Sequence, residues 1–196
     1  MTDMTELPIP EKIAKAKKQM MWFAIASLVM MFAGLTSAYV VSSSRRDWVD
    51  IELPSEFFYS TGVILLSSLT LWMAKNLIKK GDKKAAMIFT VVTFVLGTTF
   101  VVMQFMGFDS IINMGYRFTG AASNVNASFI YVIVAAHLAH IVAGLIALLV
   151  MTIQTLRGKY SKENLLGFEL GSIFWHFVDV LWIYLLLFLV FAKDIF

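Results

Sequence analysis

All three histidines of this chain stand in apolar runs: His137 and His140, spaced by three residues, and His176, which has Asp179 three residues after it. Imidazole and carboxylate are the groups that bind zinc or iron, relay protons near neutral pH, or hydrogen bond between helices. On a helix a spacing of three puts two side chains on neighbouring positions of one face, and Trp175, Asp179 and Trp182 then share a face as well. A charged carboxylate at the centre of a membrane helix costs about 2.5–3.5 kcal/mol by insertion scales, so this face looks at protein and not at lipid.

The histidine and aspartate pattern lacks the helical Glu-x-x-His pair and the His-Glu-x-x-His spacing, which argues against a metal site. A haem needs an axial histidine with room for a macrocycle, and bulky Trp and Phe crowd these three. A proton relay through His137, Asp179 and His176 is chemically allowed. Interhelical hydrogen bonding is the preferred reading. The twelve methionines are scattered without a soft-ligand spacing and read as packing residues. With no cysteine, thiolate metal sites, disulfides and cysteine nucleophiles are excluded. No nucleophile elbow, P-loop or dinucleotide-binding glycine pattern is present, so the residues suggest neither hydrolysis nor group transfer.

The elements that position these groups follow from composition. The 196 residues are 59% hydrophobic and 15% charged, against about 25% charged in a soluble domain. Five apolar stretches are long enough to cross a bilayer as helices: Met20–Ser43, Phe57–Asn76, Ala86–Met106, Ser128–Thr155 and Leu170–Ala192. The expected fold is all-α, a polytopic bundle of five transmembrane helices, with residues 1–19 as a polar tail and 20–196 as one membrane domain. That tail has no small-residue cleavage site after a short apolar run, so the first span is read as its own insertion signal. The longest connection, Gly107–Ala127, carries Gly115, Gly120, Ser123 and three asparagines and is expected to turn at the interface.

Charge asymmetry sets the expected orientation. Twelve of the sixteen Lys and Arg residues, including Lys12–Lys18, Lys75–Lys84, Arg157, Lys159 and Lys162, fall on one side. Arg45, Arg46, Arg117 and Lys193 fall on the other, which places the N-terminus in the cytoplasm and the C-terminus outside. The lysines beside Lys75 suit this rule, with anionic lipid contact as an addition; they form no nucleic-acid recognition surface. Counting at 1.5 Å per residue puts His140 and His176 in one layer near the inner third, and His137 and Asp179 in another near the midplane. Spans four and five are thus expected to meet through a polar seam of His137, His140, His176 and Asp179, with Gly144, Ala135, Ala136 and Ala139 allowing close approach. Glu169 stands near the start of span five, where the helix dipole favours an acid. Gln104, Ser60 and Thr61 form a second expected contact near the outer face. Trp175 and Trp182 lie too deep to be interface anchors and are expected to pack on a partner.

Beyond these physical readings, the segment Trp175-His176-Phe177-Val178-Asp179-Val180-Leu181-Trp182, led by Gly167-Phe168-Glu169, resembles the signature of subunit III of the haem–copper terminal oxidases. Ser60-Thr61-Gly62-Val63-Ile64-Leu65-Leu66-Ser67-Ser68 is similar to the start of another family helix, with Ser60 where Asn is usual, and Gly81-Asp82-Lys83-Lys84 to the short basic loop after it. Leu96-Gly97, Phe100 and Gln104 match a Leu-Gly-x-x-Phe…Gln pattern, and His137-Leu138-Ala139-His140 through Gly144 a His-x-x-His-x-x-x-Gly helix. Larger family members have seven helices; this chain resembles the short five-helix bacterial form, without the first two. The stretch Ile25–Val29 carries no acid where the family often has a buried glutamate, and Gly107 stands where the family has a glutamate after the glutamine.

The resemblance implies a subunit without haem or copper of its own, docked on the catalytic subunit I that holds them, with subunit II beside it, in a bacterial inner membrane. It implies bound phospholipid, support of proton uptake by the catalytic subunit, and membership of a larger respiratory supercomplex. By matched position His137, His140, Glu169, Trp175, His176, Asp179, Trp182 and Gln104 are expected to hold the bundle and its contacts in shape, with no catalytic or metal-ligand role. The alternatives are an accessory subunit of a nitric oxide reductase and a small ion or metal transporter built on the His/Asp seam.

Overall fold

A computed structural model describes residues 9–49, 51–118, 124–161 and 164–195. Gly120, Ser123, Lys162 and residues 1–8 of the expected tail lie outside the described residues. Five α-helices follow one another: α1 Ile9–Ser43, α2 Ser55–Lys80, α3 Lys83–Asn113, α4 Val125–Leu156 and α5 Leu166–Ile195. All five are long and apolar enough to cross a membrane. In hydrocarbon a helix satisfies its own backbone, so the five-span reading and the all-α class follow from the same constraint.

The helices outrun the apolar stretches. α1 begins at Ile9, so much of the expected polar tail is helical, and α3 continues through Asp109 to Asn113 into the presumed loop. Local chemistry sets these ends, not hydropathy alone. Gly81, at φ +87°, closes α2 by donating its N–H to the Ile78 carbonyl at 3.0 Å, while Asp82 N–H reaches Leu77 at 3.0 Å. The Asp82 side chain then accepts from Ala85 N–H at 3.1 Å and starts α3. α2 and α3 are thereby a tight hairpin, the most extensively packed pair in the bundle. Gly81→Ala should cost about 1 kcal/mol through left-handed strain, read as a lowered melting temperature in detergent. At the far end of α3, Gly115 at φ +92° turns the chain toward α4.

The core lies between α2, α3, α4 and α5, and α1 leans on α4 and α5 only. Its largest fully buried side chains are Trp175, Trp182, Phe32, Phe57, Phe100 and Phe168. α1 is fastened at its C-terminal end by polar contacts. Tyr39 donates its hydroxyl to Asn126 Oδ1 at 3.1 Å, and Asn126 and Asn124 both donate to the Val49 carbonyl. Trp48 packs edge-on against Tyr39 at 4.9 Å. Most other outward residues of α1, such as Phe23 and Met30, are exposed, as befits a helix that meets lipid or another subunit.

Candidate functional site

α5 carries the polar face, and α2 is the helix that answers it. Trp175 Nε1 donates to Ser67 Oγ at 3.0 Å, and Trp182 Nε1 donates to Thr61 Oγ1 at 2.9 Å. His176 Nδ1 shares a hydrogen bond with Ser68 Oγ. As α2 runs from Thr61 to Ser68, α5 runs back from Trp182 to His176, so the two are antiparallel with the hydrogen bonds forming a ladder. The same register brings Lys75 of α2 to 3.9 Å from Glu169. Lys18 of α1 completes that cluster at 2.9 Å from the other Glu169 oxygen.

The two tryptophans are partnered within the chain. The Trp175 indole lies on bare backbone of two other helices: a Cβ placed on Gly97 of α3 would sit 2.7 Å from Trp175 Cη2, and one on Gly144 of α4 3.0 Å from Cε3. Gly97 is therefore required by close approach, and Gly144 gives the ring a tight seat. Trp175 thus joins α2, α3, α4 and α5 through one side chain. Trp182 stacks on the His137 ring at 5.2 Å and meets Phe100 edge-on at 5.4 Å and Phe57 at 5.8 Å.

The expected four-residue seam is not the contact that forms. His140 is half-buried and donates Nδ1–H to the carbonyl of Ala136, one turn back on its own helix, at 2.7 Å; its ring packs against Phe32 of α1 at 5.8 Å. His176 turns to Ser68. His137 is fully buried among Phe32, Phe100 and Trp182, and neither of its ring nitrogens has a hydrogen-bond partner among the described residues. Asp179 is 1% exposed and both its oxygens are likewise unpartnered. The layers also shift: Trp182 is level with His137 and Trp175 with Gly144, so Asp179 stands about one turn from His137 and not beside it. Depth counted from apolar run ends misses this, because glycine seats fix the register and not hydropathy.

The expected contact between Gln104 and Ser60 does form. Gln104 is fully buried and donates Nε2–H to Ser60 Oγ at 2.8 Å, and Ser60 in turn donates to the Phe57 carbonyl. Gln104 Oε1 is unpartnered. Glu169 is held by Lys18 and Lys75 in addition to its place near the helix start. Because its side chain is 23% and that of Lys18 47% exposed, Glu169→Gln should lower stability by under about 1 kcal/mol, an effect that shrinks with added salt in thermal melts. At the other end, Arg45 holds Asp47 through two hydrogen bonds of 2.9 Å. That hydrogen bonding lowers the Asp47 pKa, on a fully exposed loop.

Among the described residues no three His, Asp or Glu groups come together as a metal site. Ser67 and Ser68, the partners of Trp175 and His176, fall in a motif that carried the resemblance but were given no role of their own from the sequence. A pair of adjacent serines in the middle of an apolar span was the signal available.

The sequence from residue 11 to 193 matches the family model for cytochrome c oxidase subunit III. The chain belongs to the cytochrome c oxidase subunit III family. It is 30% identical to cytochrome c oxidase subunit 3 of Alkalihalophilus pseudofirmus, over 84% of this chain and 81% of that protein. It is also 30% identical to cytochrome bo(3) ubiquinol oxidase subunit 3 of Pseudomonas aeruginosa, over 83% of this chain and 78% of the relative. Quinol oxidase subunit 3 of Bacillus subtilis is 26% identical, over 84% and 81% respectively. Family membership and five apolar helices make this a multi-pass membrane protein that associates with other oxidase subunits. Four structural features described above fall on sequence patterns that carried the resemblance: the Trp175–Trp182 ladder, the Gly97 seat, the Gln104–Ser60 bond and the His137–Gly144 helix face.

Proposed function

We propose that this chain is the non-catalytic subunit III of a respiratory haem–copper oxidase that couples oxygen reduction to proton translocation. It docks on the catalytic subunit that holds haem and copper, keeps that subunit intact during turnover, and supports its proton uptake. The observation that carries this reading is the use of the polar groups of α5. Trp175, His176 and Trp182 hydrogen bond to α2, and Glu169 forms ion pairs with lysines of α1 and α2, so these four groups matched to the family join helices. Helix-joining groups make a scaffold, whereas a reaction centre needs convergent groups facing a substrate.

Subunits I and II, phospholipid and a larger respiratory assembly are the proposed partners. The exposed apolar flank of α1, with Trp22, Phe23 and Met30, is a surface suited to lipid or a neighbouring subunit. The proposed setting is a bacterial inner membrane with the N-terminus in the cytoplasm. In support, Lys18, Lys75 and Glu169 cluster at one end of the bundle, on the lysine-rich side. The relatives quoted are oxidase subunits, and none supports a nitric oxide reductase or a transporter.

The test compares purified oxidase with and without this chain. Its removal should leave the haem spectrum and the initial rate in place and shorten the time over which turnover persists. Loss of haem or of initial rate in proportion to the chain removed would overturn the non-catalytic role.

A further inference from the structure

Five deeply buried polar atoms of the bundle are without partners among the described residues, and they gather around one aromatic node. His137 Nδ1 and Nε2, Asp179 Oδ1 and Oδ2, and Gln104 Oε1 are all buried and unpartnered among the described residues. Trp182 stacks on His137 and follows Asp179 by one turn on the same face of α5. Phe100 packs edge-on against both His137 and Trp182, and Gln104 follows Phe100 by one turn on α3. Ser60 is fully engaged, accepting from Gln104 Nε2 and donating to the Phe57 carbonyl. Ser68, shared with His176 Nδ1, is the one α2 hydroxyl close to Asp179 among the described residues and reaches neither His137 nor Gln104 in a hydrogen bond.

A buried polar atom without a hydrogen bond is costly, and surrounding lipid offers no water to relieve it. Five such atoms gathered on three residues of neighbouring helices therefore call for a common explanation. Ordered water is the ligand that satisfies groups of this kind, because one molecule both donates and accepts and needs only two to four polar partners. In the antiparallel register of α4 and α5, His137 and Asp179 differ by about one turn, ~4.5 Å along the axis, a separation a bridging water suits.

We propose that the interior of this subunit holds a site for bound water between α3, α4 and α5, bridging His137 to Asp179 and extending toward Gln104 Oε1. The site explains how the His137 ring nitrogens, the Asp179 carboxylate and the Gln104 carbonyl oxygen stay buried in a membrane bundle without direct partners among the described residues. It goes beyond the scaffold reading and does not depend on which oxidase subunits the chain meets.

Hydroxyl-radical footprinting of the purified complex tests it, with radicals generated in place by a brief X-ray pulse in ¹⁸O-water. Radicals formed from bound water oxidise only side chains that touch it. Phe100 and Phe168 are both fully buried, and only Phe100 borders the proposed site. Phe100 and Trp182 should take up ¹⁸O several-fold faster than Phe168, and His137→Leu and Asp179→Leu should each bring Phe100 down toward the Phe168 level. Uptake at Phe100 and Trp182 no greater than at Phe168 in the unaltered chain would overturn the proposal, whether or not the variants fold. Uptake that persists unchanged in both variants would overturn it too, since the water would then rest on other groups.

Discussion

Trp175→Ala is expected to be the most damaging single change in the chain, costing about 3–5 kcal/mol. The indole is 0% exposed, so truncation leaves a cavity at the point where α2, α3, α4 and α5 meet. It also leaves Ser67 Oγ, another fully buried group, without its donor. The loss should appear as a large drop in thermal unfolding temperature and as depletion of this chain from the purified complex. Trp72, 57% exposed on the outside of α2, is the reference. If Trp175→Ala unfolded no earlier than Trp72→Ala, the tryptophan would not be the joint described here.

The second large effect comes from the opposite side of the same contact. Gly97→Leu puts a branched side chain where even a Cβ would lie 2.7 Å from the Trp175 ring and 3.0 Å from Leu145. Overpacking of this kind costs about 1–3 kcal/mol or more, because a buried indole has nowhere to swing. By contrast the Cβ of Gly171→Ala would meet the flexible thioether of Met151, which can move aside. The two changes at the joint should also interact. With Trp175 already alanine, leucine at 97 grows into the vacated volume, so the double variant should be more stable than the sum of the single changes by at least ~1 kcal/mol. Additive losses in that cycle would mean that Gly97 and Trp175 do not share one contact.

Much of this molecule is written in its hydropathy. Five apolar lengths demand five helices, and the constraint is strong because lipid permits no other solution. The Gln104–Ser60 contact was also readable, since two amide or hydroxyl side chains near the same end of antiparallel neighbours have few other partners. The partners of the histidines were not readable. Depth counting places groups along an axis but leaves the rotation of each helix free, and rotation is set by small residues: Gly97 and Gly144 under Trp175, Ser67 and Ser68 beneath the α5 face. Once those seats fix the bundle, His176 points to α2, His140 folds back on its own helix, and His137 is enclosed by rings. Lys18 reaches Glu169 only because α1 remains helical beyond its apolar part, an extension that residue hydropathy does not report.

The proposed function has this chain accompany haem and copper without carrying them. Isolating the chain from its native membrane in mild detergent by an affinity tag and recording the reduced-minus-oxidised visible spectrum, then repeating this on the chain expressed alone, tests that directly. Haem absorbance from the co-purifying catalytic subunit is expected in the first sample and none in the second. Haem absorbance from the chain alone, or its isolation from native membrane without any haem protein, would contradict it.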